Sequence, residues 1–194
     1  MLKHLDITLA ILAGGKATRM QGTNKALLKH NGVTFIEHII GNLSDRFSET
    51  IIVSNDNEID QVIQYPIYKD IINDRGPLGG IHSALTNASN QLVFIVSCDM
   101  PFANAEILDK IIEQANIDNY EAVVPIYIDR MEPLFALYSA NTIVKLTEVL
   151  HGNKLSVKGF LEKINTNYIK LSATEEYNKC FTNINTLEEY YKYV

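Results

Sequence analysis

Short apolar runs alternate with amphipathic stretches along the first 115 residues of the chain. Ile7 to Ala13 is apolar, partly β-branched and cut off by Gly14-Gly15, the pattern of a buried strand. Phe35, Ile36, Ile39, Ile40, Leu43 and Phe47 then recur at helical spacing and predict a helix with one apolar face. Thr50 to Val53 reads as the next strand, closed by the turn Ser54-Asn55-Asp56-Asn57, and Ile67 to Lys69 as another that ends at Asp70. Asp74-Arg75-Gly76-Pro77-Leu78-Gly79-Gly80 reads as a loop, after which Ile81 to Ala88 resumes a helical pattern. Leu92 to Val96 is the most apolar strand, ended by Ser97-Cys98-Asp99-Met100-Pro101. A helix follows between Asn104 and Ala115, with Ile107, Leu108, Ile111 and Ile112 on its apolar face.

Strand, helix, strand, helix predicts an α/β fold, a three-layer doubly wound and mostly parallel sheet of Rossmann-like type. Ligands of such sheets bind beyond the carboxyl ends of the strands. Gly14-Gly15, Ser54-Asn55, Asp70 and Asp99 are therefore expected on one edge. The remainder is less regular. Ala122 to Pro125 and Pro133 to Tyr138 read as strands, with Asp129 to Glu132 between them as a hairpin-like insertion over the site. Thr142 to Leu150 and Val157 to Ile164 read as helices around the polar loop His151-Gly152-Asn153-Lys154, and Tyr168 to Leu171 as a late strand. Thr186, with Glu189 three residues on, forms a capping box ahead of a terminal helix. No linker divides the chain, so residues 1–194 are expected to form a single domain.

Composition changes this picture in three ways. A net charge of −6 argues against broad nucleic-acid binding, so cations are concentrated where they are needed. Met1 to Asp6 is short and mixed in charge, and no long apolar segment follows, so no membrane association is expected. Cys98 and Cys180 lie far apart without metal or redox spacing, which fits reduced thiols in the cytoplasm.

The cations gather behind the first strand. Lys16, Arg19 and Lys25 follow Gly14-Gly15, glycines that let backbone N–H groups approach a ligand closely. Such a loop suits a polyphosphate; an ordinary turn with solvated cations is the simpler alternative. The Walker pattern fails because Gly15-Lys16 is followed by Ala17, and the dinucleotide pattern fails because Gly14 is followed directly by Gly15. Asp99 stands just beyond the most apolar strand, where a lone carboxylate is costly unless paired. A hard oxygen there suits Mg²⁺ shared with a triphosphate; a helix cap, or an ion pair to Arg19 or Lys25, is the competing reading.

The segment Leu9 to Lys25 resembles the nucleotidyltransferase signature L-A-[AG]-G-x-x-x-R-M, and its G-G form with a downstream Lys resembles molybdenum cofactor guanylyltransferases. Gly76-Pro77-Leu78-Gly79-Gly80 is similar to that family's G-P-L-[AG]-G segment, Ser97 to Pro101 to its C-D-x-P segment, and Asn183-Ile184-Asn185-Thr186 to its N-[IV]-N-T-P-E segment. The family usually has R-M-G-x-x-D-K. Here Gly22 is displaced by one, Asn24 replaces the Asp, and no Pro follows Thr186.

The resemblance implies transfer of GMP from GTP to molybdenum-bound molybdopterin with release of pyrophosphate, using Mg²⁺. It implies that Leu12, Ala13 and Gly14 offer backbone contacts to the nucleotide, that Gly15 makes room for phosphate, and that Arg19 and Lys25 bind phosphates. Asp70 would contact the nucleotide, Asp99 would hold the metal, and the Gly76 and Gly79 segment would complete the nucleotide side. Ser54 and Asn55 compete for one nucleotide-facing place, and Asn183 and Asn185 would sit near the pterin phosphate or a metal-linked water. Molybdenum insertion proteins and recipient molybdoenzymes would be the protein partners. A cytidylyl- or sugar-phosphate nucleotidyltransferase of the same fold is the near alternative, and a non-catalytic nucleotide- or cofactor-binding module the distant one. His82 reads as a packed or exposed histidine, Cys98 as a small buried residue, and Lys154 as either an anion contact or a solvated side chain.

Overall fold

The computed structural model describes residues 5–14, 24–115, 119–152 and 155–193. A mixed, mostly parallel sheet forms its middle layer. It contains β1 (Leu5–Leu12), β4 (Phe47–Val53), β5 (Ile67–Tyr68), β6 (Leu92–Ser97), β7 (Ala122–Tyr127), β8 (Arg130–Met131), β9 (Phe135–Ser139) and β10 (Thr166–Leu171). The strand order is β10-β7-β9-β6-β1-β4-β5, with β8 paired to β7. A separate hairpin joins β2 (Lys29–His30) to β3 (Val33–Thr34).

β1 shows why the layers form. Ile7, Leu9, Ile11 and Ala13 project into one apolar cluster, while Ala10 and Leu12 project into the other, the two-residue period of a strand buried on both faces. The first cluster is closed by α1 (Phe35–Leu43), α3 (Ala105–Glu113) and α6 (Glu175–Cys180). The second is closed by α2 (Pro77–Asn87), α4 (Ile143–His151) and α5 (Val157–Leu161). α7 (Leu187–Tyr193) packs through Leu187 and Tyr190 on a small cluster around Leu28, Phe35 and Ile184.

Three sequence expectations are corrected. Phe47 is not on the face of α1: a 3-10 turn at Ser44–Arg46 ends the helix, and Phe47 opens β4, three residues before the expected strand start. α2 begins at Pro77 rather than Ile81, with Pro at a first-turn position where its missing N–H costs nothing. The segment from Ala122 to Tyr138 is not an insertion over the site. β7 and β9 are integral strands, and β9, buried along its whole length, lies antiparallel between β6 and β7. The connection from β7 through β8 to β9 is too short for the crossover that parallel pairing requires. The capping box at Thr186 and Glu189 is present, each backbone N–H bonded to the other's side chain (2.9 and 3.1 Å).

His82 is packed, on the face of α2 that meets α4. It is 7% exposed, with Nε2 3.1 Å from Thr147 Oγ1. Burial, reinforced by the charge of His151, pushes its pKa below the ordinary 6.5. The unfolded chain therefore binds a proton before the folded one does. Stability is full above pH 6.5 and falls as pH drops from there toward the folded pKa. Thermal midpoints measured from pH 7.5 to 5 should show this decline, and His82→Gln should flatten it; an unchanged slope in the variant would remove His82 as the cause.

Candidate active site

Four strand ends and the start of one helix enclose a cavity of about 360 Å³ at the carboxyl edge of the sheet. Leu12 and Gly14 follow from β1, Val53 and Asn55 from β4, Asp70 from β5, and Ser97 and Asp99 from β6. Asp74, Gly76, Pro77 and Gly80 close it from the α2 side, and Leu134 from the β9 side. The volume falls within the roughly 300–1,000 Å³ usual for small-molecule sites.

The backbone around β1 decides which groups are still open to a ligand. Ala13 donates its N–H to the Val53 carbonyl (2.8 Å), and its carbonyl accepts Ser54 Oγ (3.2 Å). The Leu12 carbonyl accepts the Cys98 N–H (3.0 Å). Both backbone groups of Ala13 are thus engaged within the fold. Gly14 is exposed, and a Cβ placed on it would meet nothing within 4 Å, so its backbone borders open cavity. Gly15 and Arg19 lie outside the described residues, as does Lys154.

Of the two competitors after β4, Asn55 lines the cavity and Ser54 does not. Ser54 is buried at 2% exposure, with its hydroxyl between the Ala13 carbonyl and the Asp56 N–H. Asn55 forms a reciprocal pair with Asp70: Nδ2 donates to the carboxylate at 2.9 Å, and Oδ1 accepts the Asp70 N–H at 3.0 Å. Burial at the cavity wall raises the Asp70 pKa, against the lowering effect of the Asn55 bond.

The glycines of the α2 start have separate tasks. Gly76 sits at φ +56°, a left-handed conformation that a side chain disfavours. Gly79 is not in the lining. It lets the helix approach the 70–75 loop, since a Cβ there would stand 3.0 Å from the Ile72 carbonyl oxygen and 3.3 Å from Arg75 Cβ. Gly→Ala normally gains about 1 kcal/mol inside a helix, but overpacking against fixed backbone costs about 1–3 kcal/mol. Gly79→Ala should therefore lower the thermal midpoint. Gly41→Ala, in α1 with nothing within 4 Å of the new Cβ, should raise it. Equal shifts of the same sign in denaturation scans would refute the close-approach account.

Asp99 is half-buried and does not cap a helix; Asn104 caps α3 instead, through bonds to the Glu106 and Ile107 N–H groups. Its carbonyl accepts the Ile184 N–H at 3.0 Å, which fastens the segment carrying Asn183 and Asn185 beside the β6 end. Lys25 Nζ donates to Asn185 Oδ1 at 2.7 Å, and Asn183 Oδ1 is buried with no partner among the described residues. Glu189 holds this turn by accepting the Asn185 N–H at 2.6 Å, the bond that contributes most to lowering its pKa. Lys25, Asp99, Asn183 and Asn185 are thus brought together, while Asn55, Asp70 and Gly76 face them across the cavity.

Asn24 also has a structural reason to be Asn. Its Oδ1 accepts the Ala26 N–H (2.9 Å) and caps the short turn that carries Lys25, while its Nδ2 donates to Asp56 (2.7 Å). An Asp in that place would present a second carboxylate to Asp56. Cys98 is buried, and burial followed by the neighbouring Asp99 charge pushes its thiol up to about 12, so it is no nucleophile at neutral pH.

Glu132 was not legible as a site residue. It is buried at 4% exposure, held by Arg130, and its pKa is raised first by burial and also by the Asp99 charge. Among the described residues there is no group of three or more His, Cys, Asp or Glu able to hold a metal by itself, and no helix is long and apolar enough to cross a membrane.

Residues 9–166 match the family model described as the MobA-like NTP transferase domain. The chain is 33% identical to the molybdenum cofactor guanylyltransferase of Vibrio vulnificus, with 97% of this chain and 95% of that protein covered. The chain belongs to the molybdenum cofactor guanylyltransferase family. A relative in Clostridium perfringens strain 13, named a probable molybdenum cofactor guanylyltransferase, is 39% identical over 93% of this chain and 92% of its own length. The crystal structure of molybdopterin-guanine dinucleotide biosynthesis protein A from Archaeoglobus fulgidus shares the fold, with a TM-score of 0.81, 24% identity and 95% of each chain covered. This family member is a nucleotidyltransferase, with its cavity where the doubly wound sheet predicts it.

Proposed function

We propose that this enzyme transfers the GMP moiety of GTP to molybdenum-bound molybdopterin, forming the guanine dinucleotide cofactor and pyrophosphate. The reading rests on one observation above others. A single cavity joins an open glycine edge, Gly14, to a carboxylate, Asp99, with Lys25 held beside it through the Asn185 turn.

In this reading Gly14, Asn55, Asp70 and the start of α2 hold the nucleotide, and the helix N-terminus adds a favourable field for an anion. Lys25, with Arg19, binds phosphates and offsets charge as pyrophosphate departs. An oxygen of the pterin's terminal phosphate attacks the α-phosphorus in line. The bond from that phosphorus to the bridging oxygen breaks, and its electron pair leaves on pyrophosphate. No protein nucleophile is needed, so positioning and electrostatics supply the catalysis. Asp99 is a hard oxygen donor in a site with few protein carboxylates, the donor set that suits Mg²⁺ shared with phosphates. When bound there, the metal would neutralise charge on the triphosphate. Asn183 and Asn185 would border the second substrate. We place the reaction in the cytoplasm, between molybdenum insertion proteins and recipient molybdoenzymes.

The test is direct. Purified enzyme with Mg²⁺, GTP and molybdenum-bound molybdopterin should release pyrophosphate and form the dinucleotide. Turnover with CTP but not GTP would replace the guanylyl assignment with a cytidylyl one, and nucleotide binding without turnover would leave only a binding module.

A further inference from the structure

The sheet has a second half at its carboxyl edge that the nucleotide cavity does not use. β7 runs parallel to β6, because both are antiparallel to β9 between them, so the end of β7 and the start of β8 lie on the same edge as Asp99. Two residues, Ile128 and Asp129, connect β7 to β8, and both have positive φ (46° and 59°). Such a turn is ordinarily built from Asn and Gly, and a β-branched residue there is strained. Strain of this kind persists where the surrounding structure fixes it, often at functional sites. Here it fixes Arg130 directly opposite Tyr127 in the ladder.

Arg130 and Glu132 form an unequal pair. The Glu132 side chain is only 5% exposed, whereas that of Arg130 is 64% exposed. A single carboxylate oxygen, Oε1, accepts the Nε–H at 2.9 Å and stands 2.9 Å from Nη2 as an ion-pair contact. This bond and the ion-pair contact orient the guanidinium plane on one edge and engage at most two of the five N–H donors an arginine carries. The remaining donors stand toward solvent. A buried carboxylate is costly, and its pairing with an arginine this exposed adds little to stability. The arrangement makes better sense as a mount for a forked cation. The Asp99 charge also adds to the raising of the Glu132 pKa, so the pair lies within electrostatic reach of that carboxylate. Leu134, two residues on, lines the nucleotide cavity and accepts the Ser97 N–H through its carbonyl (2.9 Å).

We propose that Arg130, oriented by Glu132, binds the phosphate monoester of the acceptor substrate on the β7–β9 side of Asp99, opposite the nucleotide. Bidentate geometry matches a phosphate dianion, which a lysine could bind only as a point charge. Arg130 touches the substrate, and Glu132 is a positioning residue that acts through it. This inference rests on the acceptor being molybdopterin, as proposed above.

The experiment measures KM for molybdopterin and for GTP separately, together with direct binding of molybdopterin followed by its fluorescence. Arg130→Ala, a surface change, should raise KM and Kd for molybdopterin about tenfold or more while KM for GTP stays within about twofold. Arg130→Lys should recover only part of that loss. Glu132→Leu should reproduce the acceptor defect, and Arg130→Ala combined with Glu132→Leu should be no worse than Arg130→Ala alone, a non-additivity that general destabilisation would not give. A normal acceptor KM in folded Arg130→Ala, or an equal rise in KM for GTP, overturns the proposal while leaving the guanylyl reading intact. Wild-type enzyme that neither binds nor turns over molybdopterin overturns both.

Discussion

Asp99→Ala should leave a folded protein whose turnover of GTP and molybdopterin is lower by a factor of about 10²–10³ or more, the usual cost of losing a preorganised electrostatic group at the reacting centre. The fold should survive because the structural bond at this position, from the Ile184 N–H, is made to the main-chain carbonyl and is untouched by the substitution. Removing the carboxylate also removes a charge that raises the pKa of both Cys98 and Glu132, so the surroundings lose a repulsion. Pyrophosphate release at saturating GTP, alongside a thermal scan, separates the two effects. Turnover within threefold of wild type would end the metal-site assignment.

Lys25→Met is expected to cost about 10²-fold in kcat/KM for GTP, since in the proposed mechanism a charge-assisted phosphate contact would be lost both on binding and as the leaving group departs. The position has a second job, because Lys25 Nζ also holds Asn185 Oδ1 at 2.7 Å. Asn185→Ala separates the roles: it removes the tether but keeps the ammonium. If phosphate binding is what matters, Asn185→Ala should cost roughly tenfold less than Lys25→Met, and only Lys25→Met should flatten the salt dependence of KM for GTP. Equal losses in the two variants would make Lys25 a docking residue for the C-terminal turn.

The edge of the site was readable because the chain marks it with unusual local chemistry. Gly14, Asp70 and Asp99 each stop an apolar run, and parallel strands put such stops on one edge. Asn55 could be separated from Ser54 only by the fold, since both follow β4 and one hydroxyl is consumed by the Ala13 carbonyl 41 residues away. Phe47 misled because it lies four residues beyond Leu43, a spacing that fits a helix face as well as a strand entry. β9 could not be oriented from periodicity, for a strand buried on both faces reads alike in either direction. The signal that was there and went unused is Asn31-Gly32: both residues have positive φ (52° and 82°) and make the two-residue turn between β2 and β3. Glu132 had no signal at all. An acidic residue between two strands is expected in solvent, and only the packing of β8 and β9 buries it.

The bond from Lys25 to Asn185 spans 160 positions, and that from Tyr190 to the Lys29 carbonyl spans 161. On the ribosome, the nucleotide half of the cavity, from β1 to the start of α2, is synthesised long before residues 183–190 exist. A growing chain can therefore pair β1 with β4 and β6 and present Asp99 while the turn that holds Lys25 is still missing. Closing so long a loop adds little entropic cost, since each doubling of length costs only about 0.6 kcal/mol, but it comes late. The turn that tethers Lys25 is therefore among the last parts of this edge to be made.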